Sequence, residues 1–412
     1  MRDVPGTTAR PRGMVVALCT ILMAGLAACG GAASGPPSGS ASTSTSGNGC
    51  GTVGYVTPQD PDGVVARLPA SARQDYNGYD HPVRASAWSS WKPTHTPVTI
   101  GLSWNQPVND FAADVLNTVK NGLQATPGVG KVIVIAGASP SDTSAQVQQY
   151  NALLQQKPDL IVADVTVGTP FVPLVTDAAR QGIPTVSVLS TISSPDVVNV
   201  VPNTYLAAAQ TLAAAMKAIG GKGNILEVHG IPGISIDADS FRGFAQVLAR
   251  CPNAKVIGQV TGNFSPAQAE AATLQFLGTH PQPIAAVAAA GGMATGIINA
   301  FIKAGRPVPV VTDQAALKGS LGYWRQHQSS YKGTATGGGA VGFGDLVVSV
   351  VQRMLAGDGV KVSDIVQPQP LITRGNLDRW AQPGWNLSTP GTAPDPPGAI
   401  DTRALLDPLF AR

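Results

Sequence analysis

From residue 98 onward, short apolar runs alternate with amphipathic stretches. Residues 98–102, Val-Thr-Ile-Gly-Leu, predict a buried strand, followed by a polar loop over 103–110. The next stretch carries Phe111, Val115, Val119 and Leu123 at spacings of four, one apolar face of a helix. The unit then repeats. Residues 132–135 predict a strand, 141–156 a helix opened by Ser141-Asp142, 160–162 a strand, 172–181 a helix stopped at Gly182, and 185–189 a strand. Val/Ile/Leu runs without polar alternation suit parallel strands covered by helices on both faces. A second series starts past Pro202, with helix 206–219, strand 225–228, helix 236–250 and strand 255–260. A helix with Pro266 just inside its start follows, then strand–helix–strand steps at 285–289, 293–304 and 308–312. Two series of similar size predict an α/β protein of two Rossmann-like lobes with parallel sheets. Helix 341–355 and segment 365–373 are expected to cross back between them, with candidate crossings at 201–203, 334–337 and 371–373.

The N-terminus follows a different pattern. Arg2, Arg10 and Arg12 precede an apolar run over 14–28 that ends in small residues, the order of a secretory signal. The run is shorter than the ~20 residues a membrane-spanning helix needs. It ends Leu26-Ala27-Ala28-Cys29, which resembles the lipobox of bacterial lipoproteins, in which the Cys thiol is lipidated and becomes the mature N-terminus. The expected layout is a signal peptide over 1–28, a Gly/Ser/Thr/Pro tether over 29–54 and an irregular lead-in over 55–96. The first lobe is expected over 97–202 and 337–370, the second over 203–336 and 371–385, and a C-terminal tail over 386–412. Tyr76, Tyr79, Trp88 and Trp91 should pack the lead-in onto the following domain.

Composition narrows the function classes. Of 412 residues, 43% are hydrophobic and only 12% charged, which rules out wholesale disorder. With 47 Gly and 34 Pro, turns are frequent and uninterrupted long helices are not expected. The formal charge of +3 falls further when the three Arg and one Asp of residues 1–28 are removed. No Lys/Arg run of five occurs and aromatics are 5%, so a nucleic-acid surface is not expected. Five scattered His and four Cys offer no zinc module.

Motifs for covalent chemistry are absent: no G-x-S-x-G, H-E-x-x-H, P-loop or EF-hand pattern occurs. Residues 337–342 satisfy G-x-G-x-x-G, but they do not follow a domain's first strand, and Asp358, at the spacing of an acidic partner, sits in a Gly-Asp-Gly turn. A tight crossing between lobes is the better reading. His229, just past a strand, reads as a hydrogen-bonded loop residue. Asp110, Asp164, Asp237, Asp239 and Asp313 all fall at or near the carboxyl end of a predicted strand, the edge where ligands bind in open α/β sheets. Each alone reads as a helix cap; their recurrence in both lobes favours a binding edge. Trp104, Phe111 and Phe264 come from the same loops and offer flat apolar faces. Carboxylates to accept hydroxyl hydrogens and aromatics to stack on a ring suit carbohydrate. Cys50 and Cys251 are the remaining cysteines of a mature chain beginning at Cys29, and are either bridged or two unpaired thiols.

Residues 98–373 resemble the periplasmic binding proteins of the ribose-binding type, the solute receptors of ABC sugar importers. The resemblance rests on Ile100-Gly101-Leu102-Ser103 with Asn109-Asp110-Phe111, on 181–186, on His229-Gly230-Ile231-Pro232-Gly233 through Arg242-Gly243-Phe244, on Gly292-Met293-Ala294 through Lys303-Ala304-Gly305, and on 310–313. It implies a type I periplasmic binding protein fold, two lobes joined by a multi-strand hinge, and a non-enzymatic receptor with no cofactor and no metal. It matches Phe111, Trp104, Phe264 and Asp313 to family site positions, and together with the strand-end reading the candidate ligand site is Trp104, Asn109, Asp110, Phe111, Asp164, Ser190, Asp237, Asp239, Phe264, Asp313 and Gln314. The chain departs from that family in having Leu189-Ser190 where an Asp-Arg pair is usual, Ala238 where an Arg is usual, and Ala290 or Gly291 where an Asn is usual. Losing two Arg removes fixed forks of donors, which argues against a ribose-like ligand and leaves room for a larger, less polar or cationic one. The implied function is capture of a small polar solute outside the cytoplasm, with delivery to an ABC permease while the chain is anchored to the cell membrane through Cys29. The rivals are a sensory lipoprotein of the same fold and a hydrolase.

Overall fold

The structure, a computed structural model, describes residues 49–411. The signal peptide, Cys29 and most of the tether lie outside them. Two six-stranded sheets organise the chain. Strands β1 (Val98–Asn105), β2 (Val129–Ala138), β3 (Leu160–Asp164), β4 (Thr185–Val188) and β5 (Val197–Pro202) form the first, with helices α2 (Asp110–Ala125), α3 (Thr143–Leu154) and α4 (Val172–Arg180) between them. Helix α1 (Ala70–Gln74) precedes them in the lead-in. The second sheet has β6 (Lys222–His229), β7 (Asn253–Thr261), β8 (Ala286–Ala289), β9 (Val310–Asp313) and β10 (Thr334–Thr336). Between them come α5 (Thr204–Ala218), α6 (Ser235–Leu248), α7 (Pro266–Thr279), α8 (Ala294–Lys303) and α9 (Lys318–Gln326). After β10, α10 (Ala340–Ala356) packs into the core of the first lobe, β11 (Asp364–Gln367) joins the first sheet and β12 (Leu371–Ile372) the second. Two short helices, α11 (Leu377–Trp380) and α12 (Thr402–Leu406), lie in the tail.

The strand orders are β2-β1-β3-β4-β5-β11 and β7-β6-β8-β9-β10-β12. All pairs of the first sheet are parallel; in the second, β12 runs antiparallel to β10. Both sheets reverse their order between the first and third strands of the lobe, β1/β3 and β6/β8. Such a reversal opens a crevice outside the strand ends. The predicted α/β class with two parallel-dominated lobes therefore holds. The chain passes between lobes after Pro202, at 337–339 and at 368–370. The third passage lies just before the segment expected at 371–373, because Pro368 and Pro370 cannot donate to either ladder and residues 371–372 already pair in the second sheet.

The lead-in packs on the first lobe, as expected. Val64, Val65, Leu68, Tyr76, Tyr79, Val83 and Trp88 join its core, and the Tyr76 and Tyr79 hydroxyls donate to the Asp364 carbonyl and carboxylate, both at 2.7 Å. Residues 50–54, expected within the tether, pack on the other lobe instead. Cys50 and Cys251 form a disulfide with Cα atoms 4.8 Å apart, which answers the question left open in the sequence. Gln246 Nε2 also donates to the Gly54 carbonyl at 3.2 Å. Among the described residues no helix is long and apolar enough to cross a membrane, and no group of three His, Cys, Asp or Glu is placed to hold a metal ion.

Candidate ligand-binding cleft

A cavity of about 160 Å³ lies between the lobes. Since a single water needs roughly 10–15 Å³ on this measure, it has room for on the order of ten water positions, comparable to the heavy atoms of a small polyol or monosaccharide. Its wall comes from the loops that follow β1, β2, β3, β4, β6, β7, β8 and β9, together with the start of α5 and the second and third passages. Every one of those loops leaves the carboxyl end of a strand, so the wall is a product of the parallel sheets.

From the first lobe, Asn109 caps α2 by accepting the Ala112 N–H at 2.9 Å, and its Nδ2 donates across the cleft to the Phe264 carbonyl at 2.9 Å. The lobes are thus in direct contact at the cavity rim. Phe111, the second residue of α2, faces the cavity, and Asp164 and Ser190 line it from the ends of β3 and β4. From the second lobe come Phe264 and Gln314. Phe264 has a φ of 55°, a left-handed conformation that costs a bulky side chain energy and turns it toward the cleft. Its ring lies over Gly230 and Gly291, where an added Cβ would come within 2.0 Å and 2.7 Å of ring carbons. Those two glycines are the condition for the ring's position. The Gln314 amide is tied to its own lobe: Oε1 accepts from Ser240 Oγ and the Gly291 N–H, and Nε2 donates to the Ala289 carbonyl.

Asn109, Phe111, Asp164, Ser190, Phe264 and Gln314 are therefore brought together on one wall. Five other candidates are not. Trp104 is fully buried in the core of the first lobe. It precedes Asn105, which faces the cavity, and successive strand residues point to opposite sides. Asp110 is exposed and accepts the Gly391 N–H at 2.6 Å. Asp237 accepts from the Gly230 N–H at 2.7 Å and pairs with His229 Nδ1 at 2.9 Å, closing the loop after β6. The His229 ring also stacks on Phe241, so it is a loop residue as read from the sequence. Asp239 pairs with Arg242 at 2.9 Å and His81 at 3.4 Å; these partners outweigh burial and hold its carboxyl below the usual range. Asp313 accepts from the Ala315 and Leu317 N–H groups and from Ser320 Oγ. Asp237 and Asp313 thus satisfy backbone donors of their own loops, while Asp110 is taken by the tail backbone and Asp239 by two side chains, roles that compete with ligand binding.

Asp164 alone keeps its carboxyl for the cavity. Burial pushes it up to about 7, with hydrogen bonds from Asn105 only partly offsetting the shift. No Lys, Arg or His lines the cavity. The wall also includes residues not singled out in the sequence: Asn105 and Gln106 after β1, Thr166 after β3, and Gln367 and Gln369 in the third passage. Gln369 Nε2 donates to Gln367 Oε1 at 3.1 Å, both side chains buried. Gln-Pro-Gln-Pro at 367–370 was the available signal, since prolines end the strand and leave glutamines between lobes.

Comparison with known proteins bears on the family and the fold. The profile of the periplasmic binding protein domain matches residues 100–359. A xylitol-binding protein of Mycolicibacterium smegmatis is 28% identical over 262 residues, 63% of this chain and 74% of that protein. The ribose import binding protein of Bacillus subtilis is 24% identical over 214 residues, 52% of this chain and 68% of that protein. A solved ABC transporter solute binding protein from Mycobacterium smegmatis with bound glycerol superposes with a TM-score of 0.63 at 18% identity, covering 72% of this chain and 99% of that one. Another, from Bacillus halodurans with bound myo-inositol, gives 0.61 at 20% identity over 71% and 98% of the two chains. At such identities the solved structures speak for the fold.

Proposed function

Because the chain belongs to the periplasmic binding protein family, whose domain profile spans residues 100–359, we propose that it is an extracytoplasmic receptor that captures a sugar or polyol and delivers it to an ABC importer. One observation carries this reading: the cavity at both topological switch points pairs two phenylalanines with a ring of amides, hydroxyls and one carboxyl. Aromatic faces cover the C–H side of a polyhydroxy solute, and the polar groups fix its hydroxyls. The xylitol-binding relative supports a polyol as the first compound to test. The reading includes no reaction, since the wall holds neither a Ser, Cys or Lys nucleophile paired with a base nor a metal-ligand set. Calorimetric titration of the purified chain with xylitol and a panel of neutral sugars should give saturable one-to-one binding, and the solute should be recovered unmodified. A chain that binds none of them, or that converts one, contradicts the reading.

The lipid anchor belongs to the same proposal. Cys29 in Leu26-Ala27-Ala28-Cys29 would carry the diacyl group, and residues 30–48 would hold the lobes off the membrane surface. Cys29→Ala should move the protein from the membrane fraction to the soluble fraction; a variant that stays fully membrane-bound rules the anchor out.

A further inference from the structure

The cavity's hydrogen-bonding groups are unevenly placed. Asn105, at the end of β1, is 3% exposed and lines the cavity. Its Nδ2 donates to the Asp164 carbonyl at 3.2 Å, which fixes which end of the amide is left over. Its Oδ1 is buried and has no hydrogen-bond partner. The carboxyl of Asp164 stands beside it without a cation. A buried carbonyl oxygen without a donor costs free energy until something supplies one, and hydrogen bonds from Asn105 offset only part of the cost of burying the Asp164 carboxyl. What fills this corner must bring hydrogen-bond donors.

We propose that Asn105 and Asp164 form an acceptor corner that selects uncharged solutes presenting two adjacent hydroxyl donors and rejects the corresponding carboxylates and phosphate esters. The proposal deepens the sugar or polyol reading and rests on it. One hydroxyl donates to Asn105 Oδ1 and its neighbour to Asp164. An anionic solute meets like charge in a desolvated cleft with no Lys, Arg or His on the wall to offset it. The elements packed around the corner contribute Thr166, Ser190 and Gln367 from the first lobe and Ile236 and Gln314 from the second, none of which titrates. Asp237, Asp239, Arg242 and Asp313 lie outside the wall, paired within their own networks.

The corner also leaves a signature in the empty protein. Burial raises Asp164 from 3.8 to about 7, so between those values the folded state holds a proton that the unfolded state has lost. Its contribution to stability is therefore lost as pH rises through that window.

Xylitol and xylonate, titrated calorimetrically into the full chain at pH 8, test the proposal. Wild type should prefer xylitol by at least about 100-fold, and Asp164→Asn, which keeps the shape and removes the charge, should shrink the preference to below about tenfold. Asn105→Ala should weaken xylitol by about 10- to 100-fold while leaving xylonate rejected. Equal binding of xylonate by wild type, or a preference untouched by Asp164→Asn, overturns the proposal while the polyol reading stands. If no neutral polyol or sugar binds at all, the polyol reading falls, and melting of the ligand-free chains decides the corner. Asp164→Asn should raise the melting temperature more at pH 8 than at pH 5. Equal shifts at both pH values overturn it.

Discussion

Asp313 and Asp164 each close a central strand, β9 in one lobe and β3 in the other, and their surroundings assign them different work. Asp313 is 2% exposed and accepts three hydrogen bonds from the turn that leads into α9. Burial still raises its carboxyl, but the donors make it a fixed part of the loop. Asp313→Ala would leave the Ala315 and Leu317 N–H groups and the Ser320 hydroxyl without their acceptor. It should lower stability by about 2–4 kcal/mol in urea unfolding, with solute affinity falling only as far as the neighbouring Gln314 and Ala315 shift. An Asp313→Ala protein of unchanged stability and abolished binding would instead put the carboxylate in the site. Residue types at strand ends do not separate these roles in the sequence, because a cap and a ligand acceptor use the same side chain. Trp104 shows the same limit: the loop could have begun one residue earlier, and its continuation as strand through Asn105 turned the indole inward.

At the scale of elements, those legible in the sequence carry strong periodicity or explicit punctuation. Asp142 caps α3, accepting from the Ala145 N–H, and Pro266 sits in the first turn of α7, both where the pattern placed them. Gly357, in a left-handed conformation with φ of 86°, ends α10. The elements not legible lack such signals. Helix α9 holds Gly319 and Gly322 among nine residues, a composition that disfavours helix, and it forms because Leu321 and Trp324 fill the second lobe's core. Both glycines are required there, since a Cβ on either would come within 2.7 Å of the tail backbone at Leu387 or Trp385. The apolar run of strand β5 is interrupted by Asn199, whose side chain bonds the Ile192 backbone and Asp364. Strand β10 has only three residues, too few for any pattern.

Across the whole molecule, five stretches of chain join the two lobes rather than three. The lead-in starts at the disulfide on the second lobe and ends in the core of the first. The tail runs the same way: Trp380 and Ala393 pack in the second lobe, Asp395 accepts the Gly338 and Gly339 N–H groups, and Leu406, Leu409 and Phe410 finish in the first. Asn203, at the first passage, donates to the Asp75 and Asn77 carbonyls and so fastens the lead-in at the hinge. The bridge spans 201 residues and encloses most of the first lobe and the second lobe's α5, β6 and α6. In the chain-entropy view such a loop contributes up to about 5 kcal/mol, and 2–4 is usual. The paired Cys50→Ser and Cys251→Ser substitutions should lower the urea midpoint accordingly, and reductant should lower that of wild type toward the same value. Midpoints indifferent to both would mean that the lead-in holds without its bridge.

The alternation of apolar runs and amphipathic helices by itself determined that this chain makes two parallel-dominated α/β lobes, because burial of a sheet on both faces leaves no other use for such a pattern. It also determined that a binding edge would lie at the strand ends, and it supplied Phe111, Phe264, Asn109 and Asp164 as members. Which aspartates face the solute was decided only in the tertiary structure. A carboxylate goes to whichever donors the neighbouring loop presents, and those donors belong to backbone whose path the sequence does not display. Asn105, Gln367 and Gln369 became wall residues for a related reason: the end of β1 and the third passage meet only once both lobes are in place. The acceptor corner arises from that meeting, since Asn105 gives its amide hydrogens to the Asp164 backbone and keeps its oxygen for the cavity.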